Sequence, residues 1–373
     1  MKAIKRYLPF AALFALQILA AGCGKSQLEM IVGTYTDNGS YGLYSYRFDV
    51  NSGDASVLDS ADAVNPSFAI YRKGTVYAVR ETNDPEAAVA SYRFNRKNGS
   101  FRLTASLTSA GADPCHLSTN GRYLLSSNYT GGTLSVFQLS RNGKIKSVKG
   151  GPVAVVSGST GGPDLSRQET PHIHCSVYSP DGKYVFASDF SADRILRFEA
   201  TGSGISPSVD DSEDMVAYQL DPDYGPRHIV FSPNGKYLYV IGELSGTVTS
   251  FSYKKGKLTR IGVVDADPYD GRGSADIHTS PDGKFLYVSN RLVNDGISIF
   301  SVRKNGSLEF VANQATRIHP RNFNITPDGR FLLCACRDSD MIQVFSRDVR
   351  TGMLTDTGRN ILVRHPVCIE WVR

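Results

Sequence analysis

Histidine, arginine and glutamate side chains recur in this chain at two kinds of position, just before a β-run and just after one. The positions of interest before a run are His116, His172, His174, Arg227, His228, Arg321 and Asn322, and those after a run are Glu243 and Arg291. Arginine binds carboxylates and phosphates through charge-assisted hydrogen bonds. Histidine or a carboxylate can transfer a proton in catalysis. A fold that brings these positions together could therefore bind an anion and run acid–base chemistry.

The phrase that carries these residues is repeated along the chain. Each copy has a Pro-led opening, a β-run, a turn such as Pro-Asp-Gly and a second β-run, as in GPRHIVFSPNGKYLYVIGE over residues 225–243. The seven openings are 46 to 57 residues apart and lie at Pro66, Pro114, Pro171, Pro226, Ser274, Pro320 and Pro366. Self-similarity at about 40–50 residues, with four short strands per unit, is typical of a β-propeller.

Seven openings predict seven blades, each an antiparallel sheet of four strands. The runs alternate apolar and polar residues and show no competing helical period. The first run, residues 30–35, has no opening strand before it, and the last, residues 365–372, has no strand after it. We predict one all-β domain over residues 30–373, a seven-bladed propeller whose terminal strands pair in one blade. This pairing would close the ring and remove free sheet edges.

A blade of this kind brings its polar positions to one end. The first two strands form a hairpin, so the loop into strand one and the loop out of strand two lie on the same side. We therefore expect the nine residues named above to share one mouth of the central channel, walled by two inserts at residues 157–168 and 201–223. A concave site with convergent polar groups is the default active-site hypothesis. Each residue alone has a structural alternative; Glu243, for example, could simply pair with Arg227 on the same hairpin.

Residues 1–23 have the features of an export signal rather than of a folded segment. A basic start is followed by the apolar stretch 8–19 and by small residues up to Cys23. This end resembles a bacterial lipobox, which would make Cys23 the lipidated first residue, with 24–29 as a short linker; an ordinary signal peptide is the alternative. The apolar stretch is shorter than the roughly 20 residues that cross a bilayer. We expect an exported protein, held by a lipid anchor and facing the periplasm or the cell surface.

Composition argues against several classes of function. The formal net charge is +5, but four positive charges precede residue 26, so the propeller is near neutral and we expect no nucleic-acid partner. The five cysteines after Cys23 are not spaced as a disulfide scaffold or a metal site, and we expect them to be small buried apolar groups. Serine-nucleophile, phosphate-loop and dinucleotide-binding motifs are absent from the sequence. We therefore expect neither a metal nor a cofactor.

Several phrases resemble those of a known family. They are IVGTYT from Ile31, DPCHL from Asp113, NYTGGTLSVF from Asn128, TPHIH from Thr170, GPRH from Gly225, SADIHTSPDGKFLYVSNR ending at Arg291, and PRNF from Pro320. As a set they are similar to the seven-bladed β-propeller lactonase family, typified by bacterial 6-phosphogluconolactonase and related to fungal carboxymuconate cyclase. The resemblance spans about residues 30–373. It implies metal-independent opening or closing of a lactone by His, Arg and Glu side chains around the channel.

The expected activity is hydrolysis of a sugar-acid lactone, a small-molecule substrate. The expected catalytic residues are His172, His174, Arg227 and Glu243, and the expected substrate-binding residues are His116, His228, Arg291, Arg321 and Asn322. Arg227, with Arg291 or Arg321, would bind the anion and polarise the carbonyl group. Glu243 or one histidine of the 172/174 pair would take a proton from water, and the other would protonate the leaving alkoxide.

Two other functions stay open at this point. A muconate-type lactonising cycloisomerase would use the same arginines with a His or Glu proton donor. A non-catalytic surface propeller would bind a glycan or a protein partner, because propellers host many unrelated functions.

Overall fold

A computed structural model describes residues 26–147, 150–202, 204–206 and 215–373. The expected signal segment and its lipidation site Cys23 lie outside these residues, as do residues 203 and 207–214 of the second insert. The first strand begins at Gln27, a little before the expected start of the propeller. In the described part of the chain, no helix is both long and apolar enough to cross a membrane.

The described chain forms seven antiparallel sheets, the blades of the propeller. The first strands are β1 (Gln27–Thr34), β2 (Gly42–Asp49) and β3 (Ala55–Asp62). The next blade contains β4 (Ala69–Arg72), β5 (Thr75–Arg80), β6 (Ala88–Asn95) and β7 (Ser100–Thr108). It is followed by β8 (Pro114–Thr119), β9 (Tyr123–Asn128), β10 (Thr133–Gln138) and β11 (Ala154–Ser157). A one-turn helix, α1 (Leu165–Gln168), precedes the next blade.

The remaining blades repeat this order. The strands of the next are β12 (Ile173–Tyr178), β13 (Tyr184–Asp189) and β14 (Arg194–Thr201), with β15 (Gly204–Ser206) and β16 (Val216–Gln219) both against β14. Then come β17 (Pro226–Phe231), β18 (Tyr237–Gly242), β19 (Thr247–Lys254) and β20 (Lys257–Asp265). They are followed by β21 (Ile277–Thr279), β22 (Phe285–Asn290), β23 (Gly296–Val302) and β24 (Leu308–Ala315). The last full blade has β25 (Pro320–Ile325), β26 (Phe331–Cys336) and β27 (Met341–Arg347), with β28 (Leu354–Asp356) and β29 (Ile361–Leu362) against β27. Short 3₁₀ turns follow β13 (Phe190–Ala192) and β26 (Arg337–Ser339).

The two ends of the chain share one blade. The final strand, β30 (Pro366–Trp371), pairs antiparallel with β1, with Met30 opposite Trp371 and Val32 opposite Ile369. Contacts between the first strands of neighbouring blades continue from β30 to β4 and complete the circle. The prediction of a seven-bladed all-β propeller closed by its terminal strands is confirmed.

The repeated turns explain why each hairpin forms. In the copy at residues 232–237, Ser232 Oγ donates to Asn234 Oδ1 at 2.8 Å and accepts from the backbone N–H of Tyr237 at 3.0 Å. Gly235 has φ of +67°, a conformation that glycine adopts without steric cost. This turn lies at the end of the hairpin opposite to the polar opening residues, so it keeps the register that places them.

Four of the opening strands share one irregularity. Their pairing with the second strand shifts register between Pro114 and His116, Ile173 and Cys175, Pro226 and Ile229, and Pro320 and Asn322. In a regular strand, consecutive side chains point to opposite faces. A bulge re-aims the extra residue. Two consecutive residues of one opening can therefore both reach the central channel, at different depths.

Candidate active site

A cavity of about 200 Å³ lies where the opening loops of the blades converge. Its lining residues are Tyr35, Glu81, Cys115, Tyr129, Arg167, His174, Arg227, Glu243, Arg291 and Arg321. The volume is below the ~300–1,000 Å³ of a drug-sized pocket, so the cavity suits a single small metabolite.

Three arginines surround the buried carboxylate of Glu243. Its Oε2 accepts a hydrogen bond from Arg227 Nε at 2.7 Å and lies 3.4 Å from Arg291 Nη2. Its Oε1 accepts from Arg167 Nη2 at 2.8 Å. Burial alone would raise the pKa of Glu243, but the three guanidinium groups outweigh it and hold the pKa at about 2. Glu243 therefore stays ionised with both oxygens occupied, which suits it to hold arginines rather than to accept a proton.

Arg227 is fixed from several sides. Besides Glu243, its Nη1 donates to the backbone oxygen of Ala275 at 2.6 Å and lies 3.3 Å from His228 Nε2. The side chain is almost fully buried. A charged donor held in this way is pre-organised to stabilise negative charge that develops in the cavity.

A second carboxylate–arginine group lies among the lining residues. The Tyr35 hydroxyl donates to Glu81 Oε1 at 3.0 Å, and Arg321 Nη2 lies 3.7 Å from the same oxygen. The Arg321 guanidinium is 5.2 Å from the centre of the Tyr35 ring. Burial raises the pKa of Tyr35, so its hydroxyl stays protonated and serves as a donor.

The cavity has a formal surplus of positive charge. Four arginines and two carboxylates line it, which leaves two positive charges uncompensated. Burial lowers the pKa of Arg291 to about 9; Glu243 opposes this effect, and the neighbouring charge of Arg227 adds to it. Since unpaired buried charge is costly, a bound anion would restore the balance.

His174 supplies an uncharged base. It is buried, and burial together with the nearby charge of Arg227 lowers its pKa well below 6.5. Its Nδ1 lies 3.9 Å from the sulfur of Cys115. Burial raises the pKa of the Cys115 thiol well above its usual range. The imidazole is therefore neutral at neutral pH and can accept a proton, whereas the thiol stays protonated and unreactive.

The predicted site residues separate into three groups. Those that line the cavity are His174, Arg227, Glu243, Arg291 and Arg321. His172 lies at the rim instead, with its ring stacked on Tyr129 at 4.1 Å and its Nδ1 2.8 Å from the Tyr129 backbone oxygen. Strand β12 begins only after His172, and its register shift turns His174 into the channel. The two histidines therefore lie at different places in the site: His174 lines the cavity, and His172 lies at its rim, on the other side of Tyr129.

The third group lies at a different depth in the channel. His116, His228 and Asn322 line a second cavity of about 110 Å³. Its centre is Asp276, whose carboxylate accepts from His228 Nδ1 at 2.7 Å and from Asn322 Nδ2 at 2.5 Å. The physical reason is the bulge described above, because each of these three residues directly follows a residue of the first cavity. The residues expected at a single mouth therefore lie in two tiers of the channel: the upper tier is the first cavity, and the lower tier is the second cavity around Asp276.

Both inserts reach the mouth of the cavity, but the second does so only at its end, where Asp223 binds Arg272. The first brings Arg167 into the cavity on α1, a residue that the repeats cannot reveal because it lies outside them. The only sequence signal is a helix-capping aspartate, Asp164, three residues before an arginine in a Gly/Ser-rich stretch. The second insert starts at the far end of its blade, since β14 runs from Arg194 beside Asp189 to Thr201.

Comparison with known proteins identifies the family of this chain. The family model described as "Lactonase, 7-bladed beta-propeller" matches residues 29–371. This chain belongs to that lactonase family. A curated family relative, a 6-phosphogluconolactonase of Formosa agariphila, is 36% identical over 351 residues, which cover 90% of this chain and 96% of the relative. The resemblance seen in the sequence is confirmed.

Solved structures of similar proteins extend the comparison. A provisional 6-phosphogluconolactonase of Bacteroides uniformis superposes with a TM-score of 0.89 and is 50% identical; the match covers 93% of this chain and 100% of the Bacteroides chain. The periplasmic gluconolactonase of Pseudomonas aeruginosa superposes with a TM-score of 0.86 and is 30% identical; the match covers 93% of this chain and 99% of the Pseudomonas chain. The lactonase family fold therefore extends over almost the whole described chain.

Replacing Glu243 by Gln should strongly destabilise the protein. The change leaves three guanidinium groups without their shared buried counter-ion, and breaking a buried ion pair in this way costs about 3–5 kcal/mol. Glu86→Gln is the matched control, because Glu86 pairs with Arg80 on the surface, where such a pair contributes at most ~1 kcal/mol. Urea unfolding at neutral pH measures both. Equal losses of unfolding free energy would contradict a central role for Glu243.

Proposed function

We propose that this protein hydrolyses a sugar-acid lactone that carries an anionic group, with 6-phosphogluconolactone as the first candidate. The observation that carries the proposal is a small cavity with a surplus of two positive charges in a chain of the lactonase family. The names of its relatives support hydrolysis of a sugar-acid lactone: one is a 6-phosphogluconolactonase, named for a phosphorylated lactone, and another is a gluconolactonase, named for an unphosphorylated one.

The arginines fit the electrostatics of this reaction. Water adds to the carbonyl carbon, the bond to the ring oxygen breaks, and the products are a carboxylate, a hydroxyl group and one proton. Negative charge develops on the carbonyl oxygen during the addition, and fixed donors in a buried site stabilise it. Arg227 and Arg291 are the buried donors held in place around Glu243, so we assign them to the carbonyl oxygen.

His174 is the better candidate for the general base. Glu243 is excluded from this role by its occupied oxygens and its pKa of about 2. His174 is neutral and lines the cavity. It would take a proton from water and return it to the leaving alkoxide, and the low pKa makes its protonated form a ready proton donor.

The purified protein should open lactones faster than they hydrolyse spontaneously. We expect release of one proton per molecule of 6-phosphogluconolactone, measured by titration at constant pH. Arg227→Gln should lower kcat by about 10²–10³-fold, the typical effect of removing one donor to an oxyanion. Arg260→Gln is the matched control, since Arg260 pairs with Asp221 at the surface.

The same assay separates the alternative functions. If the protein converts a muconate into its lactone and opens none of the lactones tested, its function is cycloisomerisation rather than hydrolysis. Ligand retention without turnover of any substrate would mean that the propeller is a binding protein and that the proposal is wrong.

The pH dependence of kcat/KM should report the depressed pKa of His174. The active form is neutral, and burial places its pKa well below 6.5. Activity should therefore stay level as the pH falls through 6.5 and decline only well below that value, where the imidazole becomes protonated. Initial rates across acidic and neutral pH, corrected for spontaneous hydrolysis, measure this. An acid limb centred near pH 6.5 would contradict His174 as a buried neutral base.

We also propose that the protein is exported and lipidated at Cys23. The basic, apolar and small-residue order of residues 1–23 supports this, as does the periplasmic location named for the Pseudomonas aeruginosa relative.

Changing Cys23 to Ser in the full chain should release the protein from membranes. The lipid would be attached through the sulfur, so the variant would lose its anchor while its propeller stays unchanged. Immunoblotting of membrane and soluble fractions in a bacterial host measures the distribution. A variant that still sediments with membranes, or an unaltered protein found only in the soluble fraction, would contradict the lipid anchor.

A further inference from the structure

Arg167 reaches the cavity from outside the blades. It lies on α1, whereas Arg227 and Arg291 belong to the blades themselves. Its side chain is 35% exposed, compared with 2% for Arg227 and 6% for Arg291. Arg167 therefore occupies the mouth of the cavity, between the buried arginines and solvent.

Most hydrogen-bond donors of Arg167 are available to a ligand. Both hydrogen bonds of its side chain use Nη2, which donates to Glu243 Oε1 at 2.8 Å and to the Tyr129 hydroxyl at 3.3 Å. Its Cζ lies 5.3 Å from the centre of the Phe190 ring, which supports the guanidinium plane. Among the described residues, nothing accepts a hydrogen bond from Nε or Nη1, and these two nitrogens carry most of the N–H groups of an arginine.

Glu243 does not depend on Arg167 for charge compensation. Its other oxygen, Oε2, is already bound by Arg227 and close to Arg291. The pair that Arg167 forms with Oε1 is partly open to water, where an ion pair is weak. Arg167 can therefore turn towards an anionic ligand while Glu243 stays neutralised.

The backbone beneath Arg167 is held in place on both sides. After it, Gln168 is buried and its Nε2 donates to the backbone oxygen of Phe190 at 3.0 Å and to Asp193 Oδ1 at 2.8 Å. Before it, Asp164 accepts from Arg272 Nη2 at 2.8 Å.

Arg272 also joins this insert to a loop of another blade. It donates to both oxygens of Asp223, at 2.7 and 2.9 Å, in addition to its bond with Asp164. The clasp formed by Asp164, Arg272 and Asp223 ties together three loops around the mouth. Its effect is to fix the base of Arg167 while the guanidinium remains exposed.

We propose that Arg167 binds the phosphate of the substrate and thereby selects phosphorylated over unphosphorylated lactones, with Arg272 as a positioning residue. The inference rests on the proposed lactonase function. A lactone whose carbonyl group reaches His174 and Arg227 in the buried part of the cavity has the far end of its carbon chain towards the mouth. A phosphate there meets Arg167, and a planar guanidinium matches phosphate oxygens in a two-point contact.

The test compares kcat/KM for 6-phosphogluconolactone and gluconolactone in Arg167 variants. Arg167→Gln should lower the value for the phosphorylated lactone by about 10- to 100-fold, mainly through KM, as expected for one lost charge-assisted contact. The value for gluconolactone should change by less than about 3-fold, because that substrate offers Arg167 only an uncharged hydroxyl group in place of the phosphate. Arg167→Lys keeps the positive charge but lacks the planar fork of donors. Its kcat/KM for the phosphorylated lactone should therefore lie between those of the unaltered protein and Arg167→Gln.

Two further variants separate positioning from general damage. Arg272→Met should lower kcat/KM for the phosphorylated lactone in the same direction but less, and leave gluconolactone unchanged. Arg260→Gln, which removes a surface arginine paired with one aspartate, should change neither substrate. Equal losses for both lactones in Arg167→Gln would overturn the inference, and so would no loss for either.

A binding measurement keeps the inference testable without turnover. The product 6-phosphogluconate should raise the melting temperature of the unaltered protein more than gluconate does, and Arg167→Gln should abolish that difference. A difference that persists in the variant would overturn the inference. If the unaltered protein opens neither lactone, the proposed function fails, and the melting experiment still decides the role of Arg167.

Discussion

The ion cluster around Glu243 is the interaction on which the site depends. One buried carboxylate holds arginines from three separate parts of the chain: the opening of a blade, the loop after a second strand, and an insert between blades. Arginine side chains are seldom buried without a partner, because removing a charge from water is costly. The counter-ion allows them to gather at one cavity, and their excess over the carboxylates leaves that cavity attractive to an anion.

The two tiers of the channel are coupled through Arg227 and His228. Asp276 accepts a hydrogen bond from His228 Nδ1, and burial lowers the pKa of this imidazole to about 4. A neutral histidine that donates from Nδ1 has a lone pair on Nε2, and this lone pair faces Arg227 Nη1 at 3.3 Å. The lower tier thus sets the hydrogen-bonding partner of an arginine in the upper one. Residues that are adjacent in sequence serve different depths of the same channel.

The sequence predicts the fold well because each repeat of the sequence corresponds to one blade. Seven openings at regular spacing give seven blades, and the incomplete repeats at both ends give the closure that β1 and β30 form. The pairing of Arg227 with Glu243 follows from the hairpin that carries both. The depth of each side chain in the channel cannot be predicted from the sequence, because the bulges break the alternation of side chains on which such a prediction rests. The position of Arg167 cannot be predicted either, since it depends on tertiary contacts of a segment outside the repeats.

Closure of the ring by β30 makes one blade depend on two distant parts of the chain. Its innermost strand, Pro366–Trp371, pairs with β1, which begins at Gln27. Without this pairing the other blades can still form from local hairpins, but the circle has an open seam beside β1. Tyr35 and Glu81 lie on one side of the seam and Arg321 on the other, so their mutual contacts require the closed ring. The part of the cavity around Glu81 is therefore the part that a defect at the seam would disturb first.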